Sequence, residues 1–308
     1  MTIPLHEAAL ARRLVCDGAM GTELMAAGLE AGGCGEAWNL AHPDRVLAIH
    51  RRYAAAGADC LITNTFGASR IMLARHGHAD DLAAINAAGV RLAREALGGR
   101  EGWVIGDIGP VGAILEPYGD LPAERAQAAL EEQAAALVEA GADAIILETQ
   151  TSLEELGLGI DAARAAGARS VIASLTYDRS ADGTFHVTMM GVLPERAAAF
   201  AAERGADIVG VNCGTSVDMA AVAAVVRQYR EHSTLPVMGQ PNAGNPVLEG
   251  GRAVYRQTAA EMAAAVPEVL AAGAHIVGSC CGSTPAHTAA IRRAVDEFTR
   301  RRAGARAG

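Results

Sequence analysis

One phrase recurs along the chain and limits its fold more than any other feature. It reads Ala56-Gly-Ala-Asp-Cys-Leu-Ile62, Ala140-Gly-Ala-Asp-Ala-Ile-Ile146, Arg204-Gly-Ala-Asp-Ile-Val209 and Ala272-Gly-Ala-His-Ile-Val277, with a looser copy at Ala166-Gly-Ala-Arg-Ser-Val-Ile172. Each copy closes an alanine-rich helical pattern and opens a short β-branched run. The glycine fits a helix C′ residue in the left-handed conformation. The apolar run fits a strand buried on both faces.

Eight such runs can be counted: Leu14–Asp17, Cys60–Thr65, Trp103–Ile108, Ala144–Glu148, Ser170–Leu175, Ile208–Asn212, Pro236–Gln240 and His275–Ser279. Helical patterns alternate with them over Asp44–Ala56, Asp80–Leu97, Pro122–Ala140, Ser152–Ala166, Pro194–Arg204, Val217–His232, Thr258–Ala272 and Pro285–Arg300. Thr151-Ser152-x-x-Glu155 has the form of a capping box, and Pro194 and Pro285 sit at first-turn positions. Eight alternating units predict an α/β protein, a single (β/α)8 TIM barrel over residues 1–308 with 300–308 as a frayed tail. An open doubly wound sheet is the alternative. The length, 308 residues, suits one barrel, and with only 4% aromatic residues the core must be Ala, Val, Leu and Ile.

Chemistry in such a barrel collects at the carboxyl ends of the strands. Strand one ends in Asp17-Gly-Ala-Met-Gly-Thr22, strand two in Thr63-Asn-Thr-Phe66, strand four in Glu148-Thr149 and strand five in Thr176-Tyr177. Strand six ends in Asn212-Cys213-Gly214, strand seven in Gln240-Pro-Asn-Ala-Gly244 and strand eight in Cys280-Cys281-Gly282. The loops Gly109–Leu121 and Pro241–Gln257 are long for such units and are candidate substrate covers.

Cys213, Cys280 and Cys281 therefore leave strands six and eight, close enough around the ring to share a metal. Three thiolates leave one corner of a tetrahedral zinc open, the layout of a catalytic site. The alternatives are buried thiols or a vicinal disulfide. Cys16 and Cys60 read as core residues and Cys34 as a loop residue. Gly18, Ala19 and Met20 either make a tight turn or aim backbone N–H groups at a carboxylate, with Asp17 near an ammonium group. Glu148 either pairs with a basic neighbour or accepts from a substrate cation. Asn242 either shapes its turn or serves the site. The nine histidines read as surface or packing residues.

Charge and segment patterns exclude other classes. A net charge of −9 with scattered signs argues against nucleic-acid binding. No stretch approaches the roughly 18 apolar residues of a membrane span, and the N-terminus lacks a signal-peptide pattern. Six cysteines in so long a chain make no disulfide framework, so a cytoplasmic protein with reduced thiols is expected. Helices this rich in alanine pack closely, which suits a homo-oligomer.

The motifs Asp17-Gly-Ala-Met-Gly-Thr22, Asn64-Thr-Phe66, Val211-Asn-Cys-Gly214, Gln240-Pro-Asn-Ala-Gly244 and Gly278-Ser-Cys-Cys-Gly-Ser-Thr-Pro-Ala-His287 resemble the homocysteine S-methyltransferase family. That family includes betaine–homocysteine methyltransferase, S-methylmethionine-using enzymes and the homocysteine module of cobalamin-dependent methionine synthase. The resemblance spans nearly the whole chain. It implies zinc on Cys213, Cys280 and Cys281, and homocysteine as the substrate converted to methionine. It places the substrate's amino-acid end on Asp17–Met20 and Glu148, with Asn242 beside the metal. Three departures stand out: Ser279 replaces a usual glycine, Gly214-Thr-Ser216 follows Cys213, and Asp107 stands where many relatives have a small residue.

The resemblance leaves the methyl donor open. As given, the chain has no room after the barrel for folate or cobalamin domains, so a small donor (betaine or a methylsulfonium) or a separate methyl-corrinoid or folate carrier is expected. Trp38, Phe66 and Tyr118 could form a small cage for a quaternary ammonium. Two other readings remain: a vicinal-dithiol oxidoreductase using Cys280-Cys281, and a non-enzymatic homocysteine- or zinc-binding module.

Overall fold

The computed structural model of the chain describes residues 3–214, 217–249 and 252–307. Eight parallel strands form one sheet. In chain order they are Leu14–Val15, Cys60–Ile62, Trp103–Ile108, Ala144–Gln150, Val171–Leu175, Ile208–Asn212, Val237–Gln240 and Ile276–Val277. Each pairs with its sequence neighbours, and the eighth pairs with the first. A bridge between Cys16 and Cys60, with Asp17 N–H donating to Cys60 C=O at 3.1 Å, closes the ring. The sheet is the predicted barrel, not an open sheet.

The recurring glycines behave as their pattern demands. Gly57, Gly141, Gly167, Gly205 and Gly273 all have positive φ, where a side chain would be strained. The acidic residue of the phrase has a structural duty at the amino end of the barrel. Asp59, Asp143 and Asp207 each accept an N–H at the start of a neighbouring strand, from Val15, Val104 and Val171, at 2.8 Å. His275 takes the same place for Val237 through Nδ1 at 3.2 Å. These N–H groups would otherwise be unpaired at the sheet's lower rim.

Side chains alternate along each strand. Leu14, Cys16, Cys60, Trp103, Ile105, Ala144, Ile146, Ile172, Ile208, Met238 and Ile276 fill the barrel interior, and Leu5, Ala8 and Ala9 of helix Leu5–Ala11 join them as a plug. The intervening residues, such as Val104, Ile145, Val171 and Val209, pack outward against the helices. Asp107, Glu148, Ser174 and Gln240 lie two positions beyond Ile105, Ile146, Ile172 and Met238, so period-two alternation aims them at the upper mouth.

The structure departs from the sequence reading at several edges. Helix Leu5–Ala11, the short helices Gly21–Ala26, Trp38–Ala41 and Arg70–Ala74, and two antiparallel pairs were not anticipated. Those pairs are Asp178–Arg179 with His186–Val187, and Val247–Glu249 with Arg252–Val254. Ser152 caps its helix, but the Glu155 carboxylate goes to Val111 N–H at 2.6 Å; the complete capping box is Thr258 with Glu261. The last helix runs Pro285–Ala307. No helix among the described residues is long and apolar enough to cross a membrane.

Candidate metal centre

Cys213, Cys280 and Cys281 come together at the carboxyl end of the barrel. Cys213 Sγ lies 3.9 Å from Cys281 Sγ, which lies 4.0 Å from Cys280 Sγ, and all three sulfurs fall within 4.8 Å. Zinc–sulfur bonds of about 2.3 Å in a tetrahedron put sulfurs about 3.8 Å apart, so the spacing fits one small cation. No other group of potential ligands this tight occurs among the described residues. All six cysteines are free thiols. A dithiol site would leave Cys213 idle, yet it sits as close to Cys281 as Cys280 does.

Local backbone explains the convergence. Cys213 has φ 56, a left-handed conformation rare for a side-chain-bearing residue, and Gly214 follows at φ 93. This turns the chain inward at the end of strand six. Gly282, at φ 76, does the same after the cysteine pair, where a Cβ would strike the Tyr255 ring at 2.0 Å. Strand seven's exit is stitched to both cysteine segments: Cys213 N–H donates to Gln240 C=O at 3.2 Å, Cys280 N–H to Pro241 C=O at 2.7 Å, and Ala243 N–H to Cys281 C=O at 2.9 Å. Hydrogen bonds from the Cys280 and Cys281 thiols hold Cys213 far below the ordinary thiol range, and the same contacts push the other two upward. A divalent ion bound to the three sulfurs would draw off their remaining protons.

The sulfurs floor a cavity of about 370 Å³ lined also by Gly18–Thr22, Glu36, Thr63–Phe66, Asp107, Glu148, Thr149, Gln240 and Ser279. Among the described residues, no Lys, Arg or His lines it. Thr22 Oγ1, Asp107 Oδ1, Gln240 Oε1 and Ser279 Oγ are buried there without hydrogen-bond partners. Such a set calls for a polar ligand. Burial, then the Cys213 charge, raises Glu148 to about 7, and burial followed by Glu148 itself raises Asp107.

Gly18, Ala19, Met20, Glu148 and the three cysteines all line the cavity, as the sequence suggested. Ala19 N–H is already taken by Ser283 Oγ at 3.0 Å. Asp17 does not line the cavity: its carboxylate accepts from Ile62 N–H at 2.9 Å and Cys16 Sγ at 3.3 Å. Burial raises Asp17 to about 8. Asn242 does not line the cavity; its Nδ2 donates to Gly214 C=O at 3.1 Å, and its Oδ1 is unpartnered.

The proposed aromatic cage does not assemble. Phe66 lines the cavity, Trp38 is buried under the Arg45 guanidinium, and Tyr118 borders separate grooves. Tyr177 is packed with its hydroxyl on Tyr229 at 2.8 Å. Residues Thr215 and Ser216, one of the departures noted above, lie outside the described residues. Sequence reasoning missed Tyr255, whose ring lies against the Gly282 backbone just after the cysteine pair; its place in the long Pro241–Gln257 loop was the only signal.

The homocysteine S-methyltransferase family model matches residues 14–295. The chain belongs to that family. It is 36% identical over 308 residues to the methionine synthase of Mycobacterium tuberculosis, covering 94% of this chain and 25% of that protein. It is 30% identical over 310 residues to the homocysteine S-methyltransferase of Escherichia coli, covering 91% and 94%. The solved structure of the Escherichia coli homocysteine methyltransferase MmuM in its metallated form matches with a TM-score of 0.76 at 25% identity, covering 93% of this chain and 98% of that one. The chain spans about a quarter of the length of the methionine synthases it matches. The metallated MmuM structure shares the (β/α)8 barrel described above.

Proposed function

We propose that this chain transfers a methyl group to the sulfur of homocysteine, giving methionine, with zinc held by Cys213, Cys280 and Cys281. The observation that carries the reading is the three-sulfur cluster at tetrahedral spacing on the floor of a polar-lined cavity. Bound zinc would supply the Lewis acidity that keeps a coordinated thiol deprotonated at neutral pH.

The chain's own groups do the rest. The Gly18–Thr22 turn and the Glu148 side of the cavity would receive the carboxylate and ammonium ends of the substrate. Cys213, turned inward by its left-handed backbone, and the Cys280-Cys281 pair would fix the sulfur's position, so that it meets the donor's methyl carbon at near-attack distance. The C–S bond forms as the bond from methyl to the donor's leaving group breaks, and the thiol proton leaves to solvent. Asn242, with its free Oδ1, would stand by the metal before substrate arrives. The donor is a small methylated onium compound or a separate methyl-corrinoid or folate carrier. The wild-type chain and Cys213→Ala, both purified under reducing conditions, test the reading. About one zinc per chain, lost in the variant together with methionine formation in a donor screen, is expected. Turnover by a zinc-free native protein, or an undiminished variant, would end it.

A further inference from the structure

Asp107 is a carboxylate that the fold holds in place and leaves unanswered. Its backbone is pinned from three sides: its N–H donates to Thr63 Oγ1 at 3.0 Å, and its C=O accepts from Thr65 Oγ1 at 2.8 Å and Gln133 Nε2 at 3.2 Å. The side chain is 4% exposed, lines the cavity and has Oδ1 without a partner. Beside it, within hydrogen-bonding reach, is the carboxyl of Glu148. Two carboxyls in contact repel unless a proton or a cation lies between them. Among the described residues, no basic side chain lines this cavity. Asp17, the other acid offered by the sequence for an ammonium group, is turned away onto Ile62 N–H. Gln240 Oε1, in a residue 2% exposed on the opposite side of the barrel, is a second buried acceptor left open in the same cavity. Asp107 Oδ1 and Gln240 Oε1 are thus open acceptors suited to a cationic ligand with N–H donors, and the Thr22 and Ser279 hydroxyls can serve either role.

We infer that Asp107, paired with Glu148, receives the α-ammonium group of the thiol substrate and sets selectivity for an amino acid over a simple mercapto acid. The inference rests on the proposed function and deepens it. Period-two alternation carries both residues to the mouth from strands three and four, while the sulfurs arrive from strands six and eight. A ligand with its thiol on the cysteines would extend its amine toward the pair. Asp107 is a positioning residue here: it touches the end of the substrate that does not react.

The test compares L-homocysteine with 4-mercaptobutanoate, which has the same chain and carboxylate but no amine. Calorimetric Kd values, and KM and kcat where turnover is seen, are measured for zinc-loaded wild type, Asp107→Asn and Asp107→Ser. Loss of one charge-assisted hydrogen bond predicts that Asp107→Asn weakens homocysteine binding by about tenfold or more, with the loss in KM rather than kcat. Binding of 4-mercaptobutanoate should change by less than about twofold, so selectivity collapses. Asp107→Ser, which places a small hydroxyl there, should behave alike and guards against a folding defect in the amide variant. Equal losses for both ligands, or none for either, would overturn the inference, as would a wild type that binds both ligands equally. A wild type that binds homocysteine selectively but methylates it with no donor sinks the proposed reaction and leaves the ammonium site standing.

Discussion

Removing Asn212 should loosen the metal centre by releasing two strained residues at once. Asn212 is fully buried at the end of strand six. Its Oδ1 accepts from Thr149 N–H at 3.1 Å and Ser174 Oγ–H at 2.6 Å, and its Nδ2 donates to Thr149 Oγ1 at 2.7 Å. Thr149, at φ 58, and Cys213, at φ 56, are the non-glycine residues with positive φ among those described. Each such residue costs roughly 1–2 kcal/mol relative to the right-handed form, so the carboxamide holds a strained pair. Asn212→Ala deletes three hydrogen bonds worth about 1 kcal/mol each and strands Thr149 N–H. A rigid backbone would therefore lose about 3–5 kcal/mol of unfolding free energy, and relaxation of Thr149 would return about 1–2 kcal/mol of it. Cys213 would shift with the relaxation, and zinc affinity should fall about 10–100-fold. Urea unfolding of the reduced, zinc-free protein reads the first quantity, and chelator competition reads the second. A variant within about 0.5 kcal/mol and twofold in affinity would show that the strain is not held by this side chain.

Other substitutions probe separate parts of the argument. In Gly18→Ala the new Cβ would lie 2.5 Å from Ser283 Oγ and 3.0 Å from Tyr53 Cε1, displacing the acceptor of Ala19 N–H. About 1–3 kcal/mol of stability should be lost with a raised KM for homocysteine; an unchanged KM would remove this turn from the site. His50 is fully buried, neither ring nitrogen has a partner, and burial lowers it to about 4. Its folded value lies below the unfolded value of about 6.5, so its contribution is present above pH 6.5 and lost as pH falls toward 4, by up to about 1.4 kcal/mol per pH unit. His50→Leu should remove that dependence, so the urea-measured gap in favour of the variant widens from pH 7 to pH 4.5; a constant gap refutes it.

The barrel was legible because its unit repeats and its punctuation is glycine. Strands three and six match the sequence reading at both ends, and the five glycines of the phrase all take the conformation assigned to them. Helix Leu5–Ala11 was not legible, because seven residues show too little periodicity and its value lies in plugging an interior formed by distant strands. The phrase's aspartates were visible, but not their purpose: Asp59 serves Val15, far behind it in sequence. At the site, the strand-end rule located Glu148 and all three cysteines. It does not choose a rotamer, and the Asp17 carboxylate lies on the nearby Ile62 N–H rather than in the cavity lining. Asp107 was noticed only as a departure from relatives, and its meaning appears once Glu148 stands beside it.

Strands six and eight are two steps apart around the ring, about 9–10 Å at the usual strand spacing. Two thiols facing straight up from such strands would not meet at 3.9 Å. The gap is bridged by backbone rather than by side-chain length, a cysteine having too little of it. Strand seven's exit, Gln240 to Ala243, occupies the space between and is hydrogen-bonded to the cysteine segments on both sides, so it sets their separation. The left-handed turn at Cys213 and the glycine after Cys281 then swing both segments inward over that spacer. Main-chain hydrogen bonds and dihedral angles thus gather the three sulfurs. On the proposed zinc reading, a metal would have little folding to organise there, and its binding energy would be available for holding a fourth ligand, the sulfur of the substrate.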